Sequence, residues 1–137
     1  MISGFLIRLR AGERLYLAPR DHVAGLLITD AAHQYQDDRG RPLVLRDLGP
    51  LLDRCSTPSP GRRHTLTVVL RRRSIGLRVD RADDLAHGHA LETTALPPLI
   101  ARRQANPWCI GVAAIEDQPV LVLDLRRIAA DVALGAV

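Results

Sequence analysis

The run Pro119-Val120-Leu121-Val122-Leu123-Asp124-Leu125 constrains this chain more than any other stretch. From Pro119 to Leu123 the apolar residues follow one another without a polar break, so neither face of a strand built from them can be given to water. The run reads as a fully buried β-strand, and the Asp-Leu pair that stops it opens a short helix. An echo occurs earlier: Pro42-Leu43-Val44-Leu45-Arg46-Asp47-Leu48 keeps Pro, Asp and Leu at the same three places. Two related halves are the organisation this suggests.

Hairpins with a period of two fill both halves. Phe5, Ile7 and Leu9 alternate with Leu6, Arg8 and Arg10; Ala11-Gly12-Glu13 turns the chain, and Leu15 and Leu17 continue the pattern up to Pro19. Val23 to Ile28 is a third strand, and the polar residues 29–41, with Arg39-Gly40 as a turn signal, read as a loop. Leu48-Gly49-Pro50-Leu51-Leu52 supports a short helical turn. A second hairpin alternates Leu66, Val68 and Leu70 with Thr65, Thr67 and Val69, turns at Arg72-Arg73-Ser74, and returns through Ile75, Leu77 and Val79. The triplet Arg71-Arg72-Arg73 thus falls at a hairpin tip, where exposure alone accounts for it.

Further on, Leu85 closes a short run and His87-Gly88-His89 makes a loop. Leu96-Pro97-Pro98-Leu99 is expected to be extended, because proline disfavours helix in the residue before it. Ile100 to Ala105 has room for one or two helical turns. Trp108 to Ile115 is a strand turned at Glu116-Asp117-Gln118, and Leu125, Ile128, Ala129 and Val132 recur at helical spacing. The expected organisation is one domain over 1–137: a first half of about 1–55, a boundary loop 56–63 rich in Ser and Pro, a second half of about 64–125, and a C-terminal helix over about 125–134. At 137 residues such a domain needs neither metal nor disulfide to fold.

Composition excludes several chemistries. All 19 basic residues are Arg, and without Lys there is no P-loop lysine, Schiff-base lysine or lysine general base. The net charge of +4 raises nucleic acid, and a basic nucleic-acid-binding β-barrel module is the alternative reading. Against it, Phe5, Tyr16, Tyr35 and Trp108 are too few for a stacking platform, and 15 acidic residues are spread among the arginines, so a solvated basic face is favoured. Cys55 and Cys109 lie in different halves, no secretory signal or membrane span is legible, and a cytoplasmic protein with reduced cysteines is expected. His87 and His89 offer too few ligands for a metal, Cys55 with His64 lacks a third group and an oxyanion-hole motif, and Asp80 and Asp124 read as strand ends rather than a catalytic pair. No catalytic residue, metal or cofactor is expected.

In fixed order, Ile75-Gly76-Leu77-Arg78-Val79-Asp80, Leu96-Pro97, Ile110-Gly111-Val112 and Val120 through Leu125 resemble the chemotaxis coupling-protein family, CheW. The match covers about half the chain. In the first half, Leu15, Leu17, Val23 and Leu26 fit the family's opening hairpin and the strand after it, and Arg39-Gly40 fits its Arg-Gly. The resemblance implies an all-β fold of two small five-stranded antiparallel barrels sharing a core, with short helical turns and a crossing C-terminal helix. It also implies a non-enzymatic adaptor that links chemoreceptor cytoplasmic tips to the regulatory domain of a CheA-type histidine kinase in a cytoplasmic, membrane-associated array. Partner-binding residues carried over by it are Val23, Leu26, Arg39 and Gly40. Where the family has a strand leading into Asn-x-Arg-Gly, this chain has Gln36-Asp37-Asp38-Arg39, which implies a shortened first half and specialisation toward one partner.

Overall fold

A computed structural model of the protein describes residues 5–30, 36–37, 39–53, 61–83, 89–90, 93–104 and 106–137, the side chains at 62, 89 and 90 excepted. Strands β1 (Phe5–Ala11) and β2 (Arg14–Pro19) form the first hairpin, and β3 (Gly25–Asp30) follows a single turn of 3-10 helix. The echo strand β4 (Leu43–Asp47) runs into helix α1 (Leu48–Leu52). The second hairpin is β5 (Arg62–Val69) and β6 (Ser74–Val79), followed by the short strands β7 (Arg81–Asp83) and β8 (His89–Ala90). Helix α2 (Pro98–Arg103), the hairpin β9 (Cys109–Ile115) and β10 (Gln118–Leu123), and helix α3 (Leu125–Ala133) complete the chain.

The two hairpins exchange partners. One sheet runs β7-β1-β2-β10-β9, with β8 also on β1, and the other runs β3-β5-β6-β4. Each echo strand lies parallel to the returning strand of the other hairpin, Val122 of β10 opposite Leu17 of β2 and Leu43 to Asp47 opposite Ser74 to Arg78 of β6. Neither is fully buried as expected: Pro119 is exposed and Leu121 half-buried in β10, and only Leu43 is buried in β4. Likewise β3 pairs with β5, and β7 with β1. A strand that reaches its neighbour through a long connection can pair parallel, as one joined by a tight turn cannot. The architecture is therefore all-β with small helices, as expected, but as two mixed sheets. Among the described residues neither closes into an antiparallel barrel: the end strands of each sheet, β7 and β9 in the first and β3 and β4 in the second, do not pair with each other, and each sheet holds one parallel pair.

One apolar core joins the sheets. Ile7 and Leu9 of β1, Leu66 and Val68 of β5, and Ile75 and Leu77 of β6 meet Leu125, Ile128, Ala129 and Val132 of α3. Each such residue stabilises the fold by about 1.5–3 kcal/mol when fully buried. The spacing of the four α3 residues puts them on one helix face, and Asp124 caps that helix by accepting the Arg127 N–H at 3.0 Å. A smaller cluster of Leu6, Leu17, Ala113, Val120 and Val122 fills the opposite face of the first sheet.

Three local expectations are corrected. Thr29 and Asp30 belong to β3 rather than to a loop, since Thr29 and Thr65 share a buried hydroxyl hydrogen bond of 2.6 Å that extends the pairing. Pro98 and Leu99 are helical: Pro98 occupies the first turn of α2, where its missing N–H has no intrahelical partner to lose. The second hairpin starts at Arg62, before the expected 64.

Candidate functional site

Arg39 and Gly40 sit on a turn built around one carboxylate. Asp37 Oδ1 accepts the N–H of Arg39 at 2.9 Å and of Arg41 at 2.8 Å, and its Oδ2 accepts the hydroxyl of Ser74 at 2.7 Å. Those bonds, the Ser74 hydroxyl foremost, hold the Asp37 carboxyl below the usual aspartate range, against the opposing effect of burial. The Asp37 N–H bonds the Arg41 carbonyl at 3.0 Å, the Gly40 N–H bonds the Asp37 carbonyl at 3.1 Å, and Gly40 supplies the positive φ of 78° that closes the turn. Arg41 then reaches across to the Leu70 carbonyl. The turn is fixed by its backbone, and Arg39 stands exposed on it without an ion-pair partner among the described residues.

Val23 precedes β3 and packs half-buried against the shared core, while Leu26, within β3, is 37% exposed. Ile28, two residues on and on the same side of the strand, is 58% exposed. The sheet order sets β3 and β4 on opposite edges, three strand spacings or about 14 Å apart along the sheet. Both strands begin at the same end of that sheet, because Gly25 lies opposite Thr67 and Leu43 opposite Ser74. The structure thus places Val23 and the Arg39 turn at one end, with the Leu70–Arg73 hairpin tip between them, and sets Leu26 further along. Asp37 and Ser74, which hold the turn, were missed in the sequence; an Asp two residues before Arg-Gly is an Asx-turn signal that would have found the first.

Arg78, 3% exposed, lies 3.2 Å from Asp47 across the parallel pair and also bonds the Gly61 carbonyl. Burial raises the Asp47 carboxyl's pKa and Arg78 opposes it. His64 Nδ1 accepts the Ala82 N–H at 3.3 Å, while Cys55, its suggested companion, and the pair His87-Gly88 lie outside the described residues. Burial pushes the Cys109 thiol up, away from nucleophilic use. Among the described residues no three His, Cys, Asp or Glu side chains converge as a metal site would require. A cleft of about 680 Å³ between α1, Trp108 and the C-terminal residues is walled by Leu51, Leu52 and Val137. In the described residues no helix is long and apolar enough to cross a membrane.

Two partner-exchanging sheets over one core, with a helix packed across it, define an all-β class of fold. No protein-family model matches the chain, and no curated protein does. Its fold is similar to that of the scaffolding protein TtCheW from Thermoanaerobacter tengcongensis: 15% sequence identity, 90% of each chain covered, TM-score 0.58.

Proposed function

We propose that this protein is a non-enzymatic adaptor that couples chemoreceptor cytoplasmic tips to the regulatory domain of a CheA-type histidine kinase, at cytoplasmic receptor arrays. The observation that carries the reading is the fold, shared over 90% of both chains with a scaffolding protein. Support comes from the ordered motifs around Gly76, Gly111 and Asp124, and from the Arg39 turn, whose backbone is fixed while its guanidinium stays available for directional bonds to a partner. Val23 and Leu26 would supply apolar contact from the opposite edge of the same sheet. Because Gln36-Asp37-Asp38-Arg39 stands where the family has a strand leading into Asn-x-Arg-Gly, the adaptor is specialised to one of the two partners.

Titration calorimetry against the receptor tip and, separately, the kinase regulatory domain tests this. We expect one partner to bind, and an Arg39→Ala variant to weaken receptor binding by roughly tenfold or more if the receptor is that partner, as for a buried interface arginine. Binding of neither would overturn the adaptor reading; tight binding of both would overturn the specialisation.

A further inference from the structure

The arginine triplet and the Arg39 turn, distant in the chain, form one surface in the fold. Asp37 joins them: one carboxylate oxygen holds the Arg39 backbone and the other holds Ser74, the residue that follows the triplet. Arg41 bonds the Leu70 carbonyl just before the triplet, and the Ser74 N–H bonds the Pro42 carbonyl at 2.9 Å. The tip itself is closed by the Leu70 N–H on the Arg73 carbonyl at 2.9 Å. Arg39, Arg71, Arg72 and Arg73 are all exposed, and none has an ion-pair partner among the described residues. Asp37, the carboxylate at the join, is turned inward and consumed by N–H and O–H donors. Like charges gathered on a rigid frame repel one another, and a partner of opposite charge relieves that repulsion.

The geometry points to this end of the second sheet as a docking surface for an acidic protein segment, with Arg39 and the 71–73 tip acting together. A protein partner is favoured over nucleic acid by what surrounds the arginines. Val69, 38% exposed, adds an apolar contact beside the tip, whereas among the described aromatics Tyr16 and Trp108 are buried and the exposed Phe5 lies on β1 of the other sheet, so bases find no stacking platform there. Guanidinium groups suit carboxylates because their paired N–H donors match the two oxygens. The inference rests on the adaptor reading only in assigning Arg39 to the partner surface; it extends that surface to a tip the reading does not use.

The test uses the full chain and two labelled probes of equal length, an oligoglutamate of 20 residues and a 20-nucleotide oligothymidylate, followed by fluorescence anisotropy at several salt concentrations. We expect R72Q/R73Q to weaken oligoglutamate binding by about tenfold and R39A to weaken it by a further several-fold, while R102Q/R103Q, which removes the same charge from exposed α2, changes it by less than about twofold. Equal losses from the two double variants would reduce the effect to net charge and overturn the proposal, as would indifference to R39A. Tighter binding of the oligothymidylate at equal ionic strength would overturn it in favour of nucleic acid. The receptor-tip titration separates the two readings: oligoglutamate binding that follows the pattern above supports this surface even where the receptor tip fails to bind and the adaptor reading falls.

Discussion

Ser74 Oγ donates to Asp37 Oδ2 at 2.7 Å, a buried bond between side chains 37 residues apart that fastens the Arg39 turn to the start of β6. Its effect on acid stability has a definite sign. The Asp37 carboxyl titrates lower in the folded protein than in the unfolded chain, so the stability it adds is complete above the unfolded value and is lost as pH falls through the folded one. Urea midpoints measured between about pH 5 and about pH 2 should therefore fall more steeply in the wild type than in Asp37→Asn. Parallel curves would show that the carboxylate is not what holds the turn.

Arg78 and Asp47 form a pair whose value lies in being complete. Arg78 is 3% exposed, so its removal leaves the half-buried Asp47 carboxylate without its counter-charge. Arg78→Met should cost about 3 kcal/mol in urea unfolding, near the lower end for breaking a buried pair because Asp47 retains some solvent. The double variant Arg78→Met with Asp47→Leu should recover part of that loss. A double variant as unstable as the sum of the singles would mean that the two charges do not interact.

The hairpins and both echo strands were legible in the sequence because strict alternation or unbroken apolarity leaves a strand few other options, as at Ile7 to Leu9 or Val120 to Leu123. The helix after Asp124 was legible from the spacing of Leu125, Ile128 and Val132. What alternation cannot show is which strand meets which. The period of two is the same whether β10 lies beside β9 alone or also beside β2, and so the exchange of hairpins and the parallel pairs emerged only in the fold. Strands β7 and β8, of three and two residues, are too short to carry a period at all. At the candidate site, Arg39 and Gly40 were legible, whereas Asp37 stood out only as part of the run Gln36-Asp37-Asp38-Arg39. Its partners are backbone N–H groups and a serine hydroxyl distant in sequence, which no charge pattern reveals.

Gly111 explains one of the family-like motifs in steric terms. The chain at 93–94 runs alongside β9, with Thr94 and Val112 exchanging N–H bonds at 2.9 and 2.8 Å. A Cβ on Gly111 would stand 2.6 Å from the Thr94 carbonyl oxygen, a backbone atom that cannot swing aside. Gly111→Ala should cost about 1–3 kcal/mol and speed hydrogen exchange at the Thr94 and Val112 amides. Unchanged exchange at those two amides would show that the strand accommodates the methyl without parting.

Trp108, 5% exposed, ties the start of β9 to the last helix. Its indole N–H donates to Asp131 Oδ2 at 2.7 Å, and Arg127, one turn earlier on α3, approaches the other oxygen at 3.5 Å. Trp108→Phe removes the donor and some apolar volume but leaves the carboxylate its arginine, so the expected loss is about 1–2 kcal/mol rather than the larger cost of stranding a charge. Asp131→Asn retains an acceptor oxygen and should cost less than about 1 kcal/mol. Circular dichroism in urea compares the three proteins. In the wild type, Asp131→Asn and Asp131→Ala, which removes the acceptor altogether, the emission of Trp108, the sole tryptophan, reports separately on whether the indole stays shielded. A blue, poorly quenched emission in Asp131→Ala would confirm that packing against the core, and not the hydrogen bond alone, keeps the ring in place. Red-shifted emission there would make the Asp131 bond the element that seats it.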